Sequence, residues 1–177
     1  EWTALVAGIA AGQYQMTGSA SVSPARAKAT GYSDSYFSLA TVPLTLKSSA
    51  DKYKDWEDLN NADVRVAATL GTTQEKQVKQ YFPNAKHVIV EAPAQPFQQV
   101  LSGRADAHIT SNVEANKLVA IHSDLMIVPV SAPKSPTPIA MLLPQADQVW
   151  INYVNTWIKL KQERGFFKEL DDKWKLN

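Results

Sequence analysis

The chain has no cysteine among its 177 residues. That excludes disulfides, zinc–thiolate sites and thiol nucleophiles together, and it is compatible with an oxidising compartment without requiring one. Histidine is scarce too. His87, His108 and His122 lie far apart with no metal-ligand spacing, so no metal site is expected. No apolar run approaches the roughly 18 to 20 residues that a membrane span needs, and direct membrane insertion is not expected. Neither sign of charge dominates: 18 Lys and Arg against 17 Asp and Glu give a net charge of +1. No Lys/Arg stripe accompanies that balance, which argues against a dedicated nucleic-acid binder. There is no G-x-S-x-G, phosphate-loop or dinucleotide fingerprint, and no cofactor is expected. No leader-like segment is seen; a signal peptide removed on maturation would leave the same chain, so export stays open.

What is present is an ordinary globular composition, 45% hydrophobic and 20% charged, long enough for one large core or two smaller lobes. The most informative stretch is residues 15–36, QMTGSASVSPARAKATGYSDSY. Ser19, Ser21 and Ser23 bring hydroxyls and backbone N–H groups beside Arg26, whose guanidinium is a fixed fork of donors; together these suit a carboxylate. A second anion-reading feature is Gly71-Thr72-Thr73, a turn between a predicted strand and a predicted helix. Its amides and hydroxyls would sit at a helix N-terminus, where the dipole favours an anion. Taken alone, the same residues read as an ordinary helix cap.

Hydrophobic periodicity predicts a helical face of Trp2, Leu5, Val6 and Ile9 stopped at Gly12, a strand over Gln15–Ser19, a helical turn over Pro24–Thr30 capped by Ser23, and a long strand over Tyr36–Lys47. Pro43 demotes that last strand to an edge or crossing segment, because proline cannot donate to a ladder. Strands follow near 64–68, 87–90, 105–110, 125–130 and 139–143. Helices are expected at 55–59, from Gln74, at 96–102 and 112–120, then from Asp147 through Gln162, and at 166–174. Such alternation argues α/β with parallel strands. The run SAPKSPTP, 131–138, is the richest in Pro and Ser and reads as a linker. Trp150, Val154, Trp157 and Ile158 recur at helical spacing and predict a core face. His108, alternating with Ala107 and Ile109, reads as a packed or cleft-facing strand residue. Asp171, Asp172, Lys173 and Lys175 predict a solvated charged face.

The order of residues around Arg26 resembles the binding corner of the polar amino-acid family of periplasmic solute-binding proteins, family 3, whose pattern is roughly S-G-x-S-x-T-x-x-R followed by a hydrophobe and F-S-x-P-Y. Ser21, Ser23 and Arg26 fall on its Ser, Thr and Arg, and Tyr32, Ser33 and Tyr36 on its aromatic turn. Gly18-Ser19 reverses the usual Ser-Gly, and Ser35 stands where proline is usual. Trp2, Leu5 and Gly8 match the family's W-x-x-L-x-x-G, and the closing G-F-F-K-E-L-x-x-K-W matches its C-terminal pattern, so the resemblance covers the whole chain.

The resemblance implies a type II periplasmic-binding-protein-like α/β fold: two lobes joined by two hinge crossings, 1–44 plus 134–177 as a discontinuous first lobe and 45–133 as the second. It also implies that the first lobe is incomplete, lacking roughly sixty to seventy residues, the size of a β-α-β unit with its helix. Ligand would lie between the lobes, read by Ser19, Ser21, Ser23 and Arg26 from one and Gly71, Thr72, Thr73 and Ser111 from the other. Most amino-acid binders of the family carry aspartate after the strand matched by ADAHIT, pairing with the ligand ammonium; here that position is Ser111, with Glu114 one helical turn on.

The run FQQVLSGRADAHITSNVEA resembles one branch of the family, the periplasmic cyclohexadienyl dehydratases, more than it does general amino-acid binders; in that branch a glutamate matched by Glu114 is the general acid acting on prephenate or arogenate. The leading expectation is a periplasmic or tethered extracellular binding protein of an ABC importer, holding an amino acid or related carboxylate and docking on membrane subunits. A secreted dehydratase using Glu114 is the alternative, and a receptor sensor domain a third reading.

Overall fold

The computed structural model describes residues 2–174 and 176; Lys175, assigned above to a charged face, lies outside them. A 3-10 turn at Trp2–Ala4 runs into α1 (Leu5–Ala10). Gly12, at φ 67°, closes that helix as its spacing predicts, with Gln13 N–H returning to the Gly8 carbonyl. Trp2 is exposed, however, and only Gly8 and Ile9 of this segment are fully buried. The expected strand at 15–19 is irregular chain. The strand is instead β1 (Ala20–Ser21), because Thr17 spends its amide and hydroxyl on Leu142. Then come α2 (Pro24–Ala27), β2 (Gly31–Tyr32) and β3 (Phe37–Leu46). After a 3-10 turn at Glu57–Leu59 follow β4 (Arg65–Thr69), α3 (Thr73–Tyr81), β5 (Lys86–Val90), α4 (Pro96–Leu101), β6 (Ala107–Ser111), α5 (Asn112–Ile121) and β7 (Leu125–Ile127). The chain ends with β8 (Lys134–Ala140), β9 (Leu142–Leu143), α6 (Gln148–Glu163) and α7 (Phe166–Trp174).

The chain divides into two compact units, one of Glu1–Thr3 with Ala40–Pro136 and one of Ala4–Leu39 with Thr137–Asn177. Both passages between units fall inside strands, β3 and β8. Residues 134–138, read from composition as linker, are therefore strand. Unit 1 anchors the start of that strand. Trp56 Nε1 donates to the Ala132 carbonyl at 2.9 Å, the Tyr81 and Ser135 hydroxyls are hydrogen-bonded, and Lys134 Nζ lies 5.1 Å from the ring centres of both Trp56 and Tyr81.

Within unit 1 the strand order is β7-β3-β6-β4-β5. Parallel pairing joins β4 to β5 and β6, as the alternation predicts, while β3 runs antiparallel to β6 and β7. Pro43 thus sits in an interior strand. It is tolerated because Leu44 pairs with Ile127, the last residue of β7, so the missing proline N–H faces the point where that ladder ends. Alternation along β4 sends Val66 and Ala68 to one face, with Trp56, Leu59, Val78, Phe82 and Ile109, and Ala67 to the other, with Val42, Leu44, Val100, Ala115 and Leu118. Both faces are closed by buried apolar side chains.

Unit 2 is built on two short antiparallel ladders, Ala20–Ser21 against Ile139–Ala140 and Gly31–Tyr32 against Leu142–Leu143. Helix α6, capped by the Asp147 carboxylate on the Trp150 N–H at 2.9 Å, buries Ile151, Val154 and Ile158 against Met141 and Leu143. Trp150 and Trp157, expected in the same core face, are only half-buried. Gly8 admits the Tyr14 ring: a Cβ there would lie 2.3 Å from the Tyr14 hydroxyl oxygen, whose proton is donated to the Leu5 carbonyl at 2.8 Å.

Candidate functional site

In unit 2 the corner is assembled from β1, α2 and β2. Ser23 leaves β1 in an extended conformation and accepts the Arg26 amide at 3.4 Å, and Pro24 fills the first helical position, so a four-residue helix forms on sequence alone. That turn carries Arg26 inward, where it is 9% exposed. Its Nη1 donates to the Ser21 carbonyl at 3.0 Å, and the same oxygen accepts the Tyr32 hydroxyl at 2.9 Å. The Ser23 amide donates to the Tyr32 oxygen at 3.3 Å, and the Thr30 hydroxyl closes the turn on the Arg26 carbonyl at 2.8 Å. Ser33 Oγ accepts the Met141 amide at 2.9 Å, and the Tyr36 hydroxyl donates to the Gly18 carbonyl. Ser19 is exposed. Arg26, Ser21 and Ser23 are therefore adjacent, and the aromatic turn is tied to them by Tyr32.

In unit 1 the relevant residues leave the C-terminal ends of the parallel strands, the edge at which α/β sheets present ligand-binding loops. The register pairs Val66 with Ala107 and Ala67 with His108, so continuing along both strands sets Leu70 level with Ser111. Gly71, Thr72 and Thr73 open α3, and Ser111 opens α5, from neighbouring points of one edge. Thr72 Oγ1 accepts the Glu75 amide at 3.2 Å and donates to the Thr69 carbonyl at 2.6 Å. Ser111, 9% exposed, accepts the Glu114 amide at 3.2 Å. Close by, the Thr41 hydroxyl donates to Gln77 Oε1 at 2.8 Å, both side chains buried. Thr41 pairs with Ser111 across β3 and β6, so this buried polar pair fixes α3 against the same edge; no sequence pattern singled it out.

The mouth of α3 already holds a carboxylate of its own. Glu75 Oε2 accepts the Gly71 amide at 2.8 Å and Oε1 accepts Lys79 Nζ at 2.6 Å. Burial pushes the Glu75 carboxyl up, but the bonds from Lys79 and the Gly71 amide outweigh it and hold the group below its ordinary range. Glu114 is exposed on the first turn of α5 and accepts a hydrogen bond from the Thr110 hydroxyl. His108 lies at the opposite extreme. It is 2% exposed, its Nδ1 has no hydrogen-bond partner, and burial pushes its pKa down to about 3. Among the described residues no group of acidic, histidine or cysteine side chains is placed to hold a metal ion, and no helix is long and apolar enough to cross a membrane.

Comparison with known proteins identifies the family of the chain. Residues 1–177 match the family model of bacterial extracellular solute-binding proteins, family 3. A cyclohexadienyl dehydratase of Pseudomonas aeruginosa is 26% identical over 144 residues, 78% of this chain, and the match spans 53% of that protein, about half its length. The crystal structure of an ancestral amino-acid-binding protein, described as a precursor of cyclohexadienyl dehydratase, is 32% identical with a TM-score of 0.89, covering 98% of this chain and 74% of the other. An amino-acid ABC transporter substrate-binding protein of Streptococcus pneumoniae, solved with L-arginine, shares the fold at 22% identity and a TM-score of 0.88, covering 99% of this chain and 74% of the other.

Proposed function

The chain belongs to the bacterial extracellular solute-binding proteins, family 3, and from that premise we propose that it binds an amino acid or related small carboxylate as the solute-receiving component of an ABC importer. Its α/β fold is that of the type II periplasmic binding proteins, and it covers about three quarters of those solved chains. The observation that carries the reading is Arg26. An arginine 9% exposed, with one guanidinium nitrogen on the Ser21 carbonyl and its helix turn fixed by Ser23 and Thr30, holds a planar fork of donors in a fixed position, which suits a carboxylate. Ser19, Ser21 and Ser23 supply the hydroxyls around it. In unit 1, Thr72, Thr73 and Ser111 supply amides and hydroxyls at two helix N-termini beside Gly71, whose own amide Glu75 holds, and Glu114 supplies a carboxylate suited to a ligand ammonium. The proposed partners are importer membrane subunits, and the proposed location is periplasmic or tethered at the cell surface.

Calorimetric titration against a panel of amino acids tests this reading. Saturable binding to at least one is expected, and Arg26→Ala should weaken it by at least about tenfold, since a hydrogen bond to a charged group contributes about 1.5–3 kcal/mol. Undiminished affinity in that variant would remove Arg26 from the site. The dehydratase reading is favoured by one observation, the likeness to a dehydratase and to the ancestral precursor of one. Incubation with prephenate and with arogenate separates the two. Aromatic product that disappears in Glu114→Gln would establish catalysis and displace the transport reading.

A further inference from the structure

Gln77 lies one turn beyond Thr73 on the same line of α3. It is 8% exposed and faces Thr41, 2% exposed, whose hydroxyl donates to Gln77 Oε1 at 2.8 Å. Thr41 stands opposite Ser111 in the antiparallel ladder of β3 and β6, which sets both side chains on one face of the sheet with Cβ atoms about 4.5–5.5 Å apart. Thr41, Ser111 and Gln77 therefore form one buried polar cluster at the edge where β6 ends. Further along the same face the sheet and α3 meet through apolar side chains, Ile109 against Val78 and Phe82. The bond from Thr41 uses the acceptor end of the Gln77 carboxamide and leaves its two N–H donors. Nε2 has no hydrogen bond to another described residue. Among the described residues, the one fully buried side-chain nitrogen or oxygen without a partner is His108 Nδ1, so Gln77 Nε2 opens to the surface at that edge.

We propose that Gln77 is a specificity-determining residue, donating from Nε2 to an oxygen of the ligand's side chain, so that the ligand is an amino acid whose side chain carries an acceptor oxygen. The inference rests on the amino-acid-binding reading given above and names the class of amino acid. The Thr41 hydroxyl sets which end of the carboxamide is presented. With Oε1 occupied only donors remain, which match a carbonyl, carboxylate or hydroxyl oxygen and mismatch an ammonium or guanidinium, since those groups carry donors and no acceptor. An aliphatic side chain laid there would cover the donors and leave them unpaired, the arrangement by which a polar site rejects an apolar analogue. The carboxylate and ammonium common to all amino acids fall to other residues of the site, and Gln77 tells one side chain from another.

The test is calorimetric titration of L-glutamine, L-norleucine and L-lysine, which share one head group and differ at the end of the side chain. The native chain, Gln77→Glu and Gln77→Met are compared, with the thermal midpoint of each. The native chain should bind L-glutamine about fivefold or more tightly than either of the others. Gln77→Glu still accepts the Thr41 hydroxyl but puts an oxygen where the donors were, so its preference should turn toward L-lysine. Gln77→Met keeps length and bulk without either end of the carboxamide. Its affinities for L-glutamine and L-norleucine should become alike, and it supplies the test where Gln77→Glu unfolds. A residue that only packs α3 would lower the midpoint and weaken all three ligands by one factor; that result overturns the assignment, as does a ranking unchanged in both variants. Preference of the native chain for L-norleucine or L-lysine overturns it too, while leaving amino-acid binding in place. If the native chain binds no amino acid of the wider panel, the reading beneath the proposal falls with it.

Discussion

Arg65 and Asp106 meet as a two-pronged pair: Nε donates to Oδ2 at 2.9 Å and Nη2 to Oδ1 at 3.0 Å, with the Arg65 backbone amide also on Oδ2 at 2.8 Å. They tie the first residue of β4 to the residue before β6, and Arg65 Nη1 reaches the Gly103 carbonyl at 2.8 Å. This clasp holds the two parallel strands whose far ends carry Thr72 and Ser111. Burial raises the Asp106 carboxyl, but the bonds from Arg65 prevail and lower it. Because the Arg65 side chain is 37% exposed, screening limits the energy, and Asp106→Ala should cost about 1–2 kcal/mol in urea unfolding. Arg65→Lys should recover only part of the difference between that variant and the native chain, as an ammonium cannot engage both carboxylate oxygens in one plane.

His108 makes stability fall in mild acid. Its folded pKa is pushed from 6.5 to about 3 by burial, so between those values the unfolded chain holds a proton that the folded chain refuses. The contribution is complete above about pH 6.5 and declines as pH falls toward 3, by at most about 1.4 kcal/mol per pH unit. Asp106 and Glu75 have the opposite origin, lowered by partners, and their contributions are lost only below the ordinary carboxylate range. At pH 5 the slope is therefore that of His108. His108→Leu, which removes the unpartnered Nδ1, should flatten the decline of thermal midpoint between pH 7 and pH 4.5 while leaving the steeper loss below pH 4.

Much of this was legible before any coordinates. Ser23, the Gly71-Thr72-Thr73 turn and Asp147 announced three helix starts because a cap is a local device, needing only an oxygen three residues before an amide. What failed was composition read as architecture. Pro136 and Pro138 lie in β8, which carries one passage between the units as strand rather than as irregular chain, and Pro43 lies in β3, a crossing strand that is interior rather than an edge, because what decides is which way the missing N–H points and not whether proline is present. Glu75 shows the same limit at the candidate site. Its position three residues after Thr72 was visible, but its hold on the Gly71 amide is a question of side-chain rotamer. The buried Thr41–Gln77 bond joins residues 36 apart in sequence, and no local signal links them.

Gly71 and Gly103 provide a matched pair. Both have positive φ, 75° and 69°, but a Cβ at Gly71 would come within 2.8 Å of Thr3 Cγ2 and 3.0 Å of the Thr3 amide, whereas nothing lies within 4 Å at Gly103. Gly103→Ala should cost only the left-handed backbone penalty, about 1–2 kcal/mol. Gly71→Ala should cost that plus displacement of Thr3, and should lower ligand affinity where Gly103→Ala does not. Equal unfolding midpoints for the two would show that the contact with Thr3 is without weight.

Ser111 separates capping from recognition. Its hydroxyl accepts the Glu114 amide at 3.2 Å, so Ser111→Ala should destabilise the chain by about 1 kcal/mol. Ser111→Asp keeps an oxygen for that amide and restores the residue that amino-acid binders of the resembled pattern carry there. The new carboxylate is 9% exposed by the measure of the residue it replaces and one turn from Glu114, so without ligand it is poorly solvated and repelled by a like charge. A ligand ammonium relieves both penalties. Ser111→Asp should therefore unfold more readily than the native chain when empty, yet bind an amino acid more tightly than the same acid lacking its α-amino group, by a factor larger than the native chain shows. Paired titrations of an amino acid and its des-amino analogue measure that ratio. A ratio unchanged by the substitution would place the edge of β6 outside the ligand's reach.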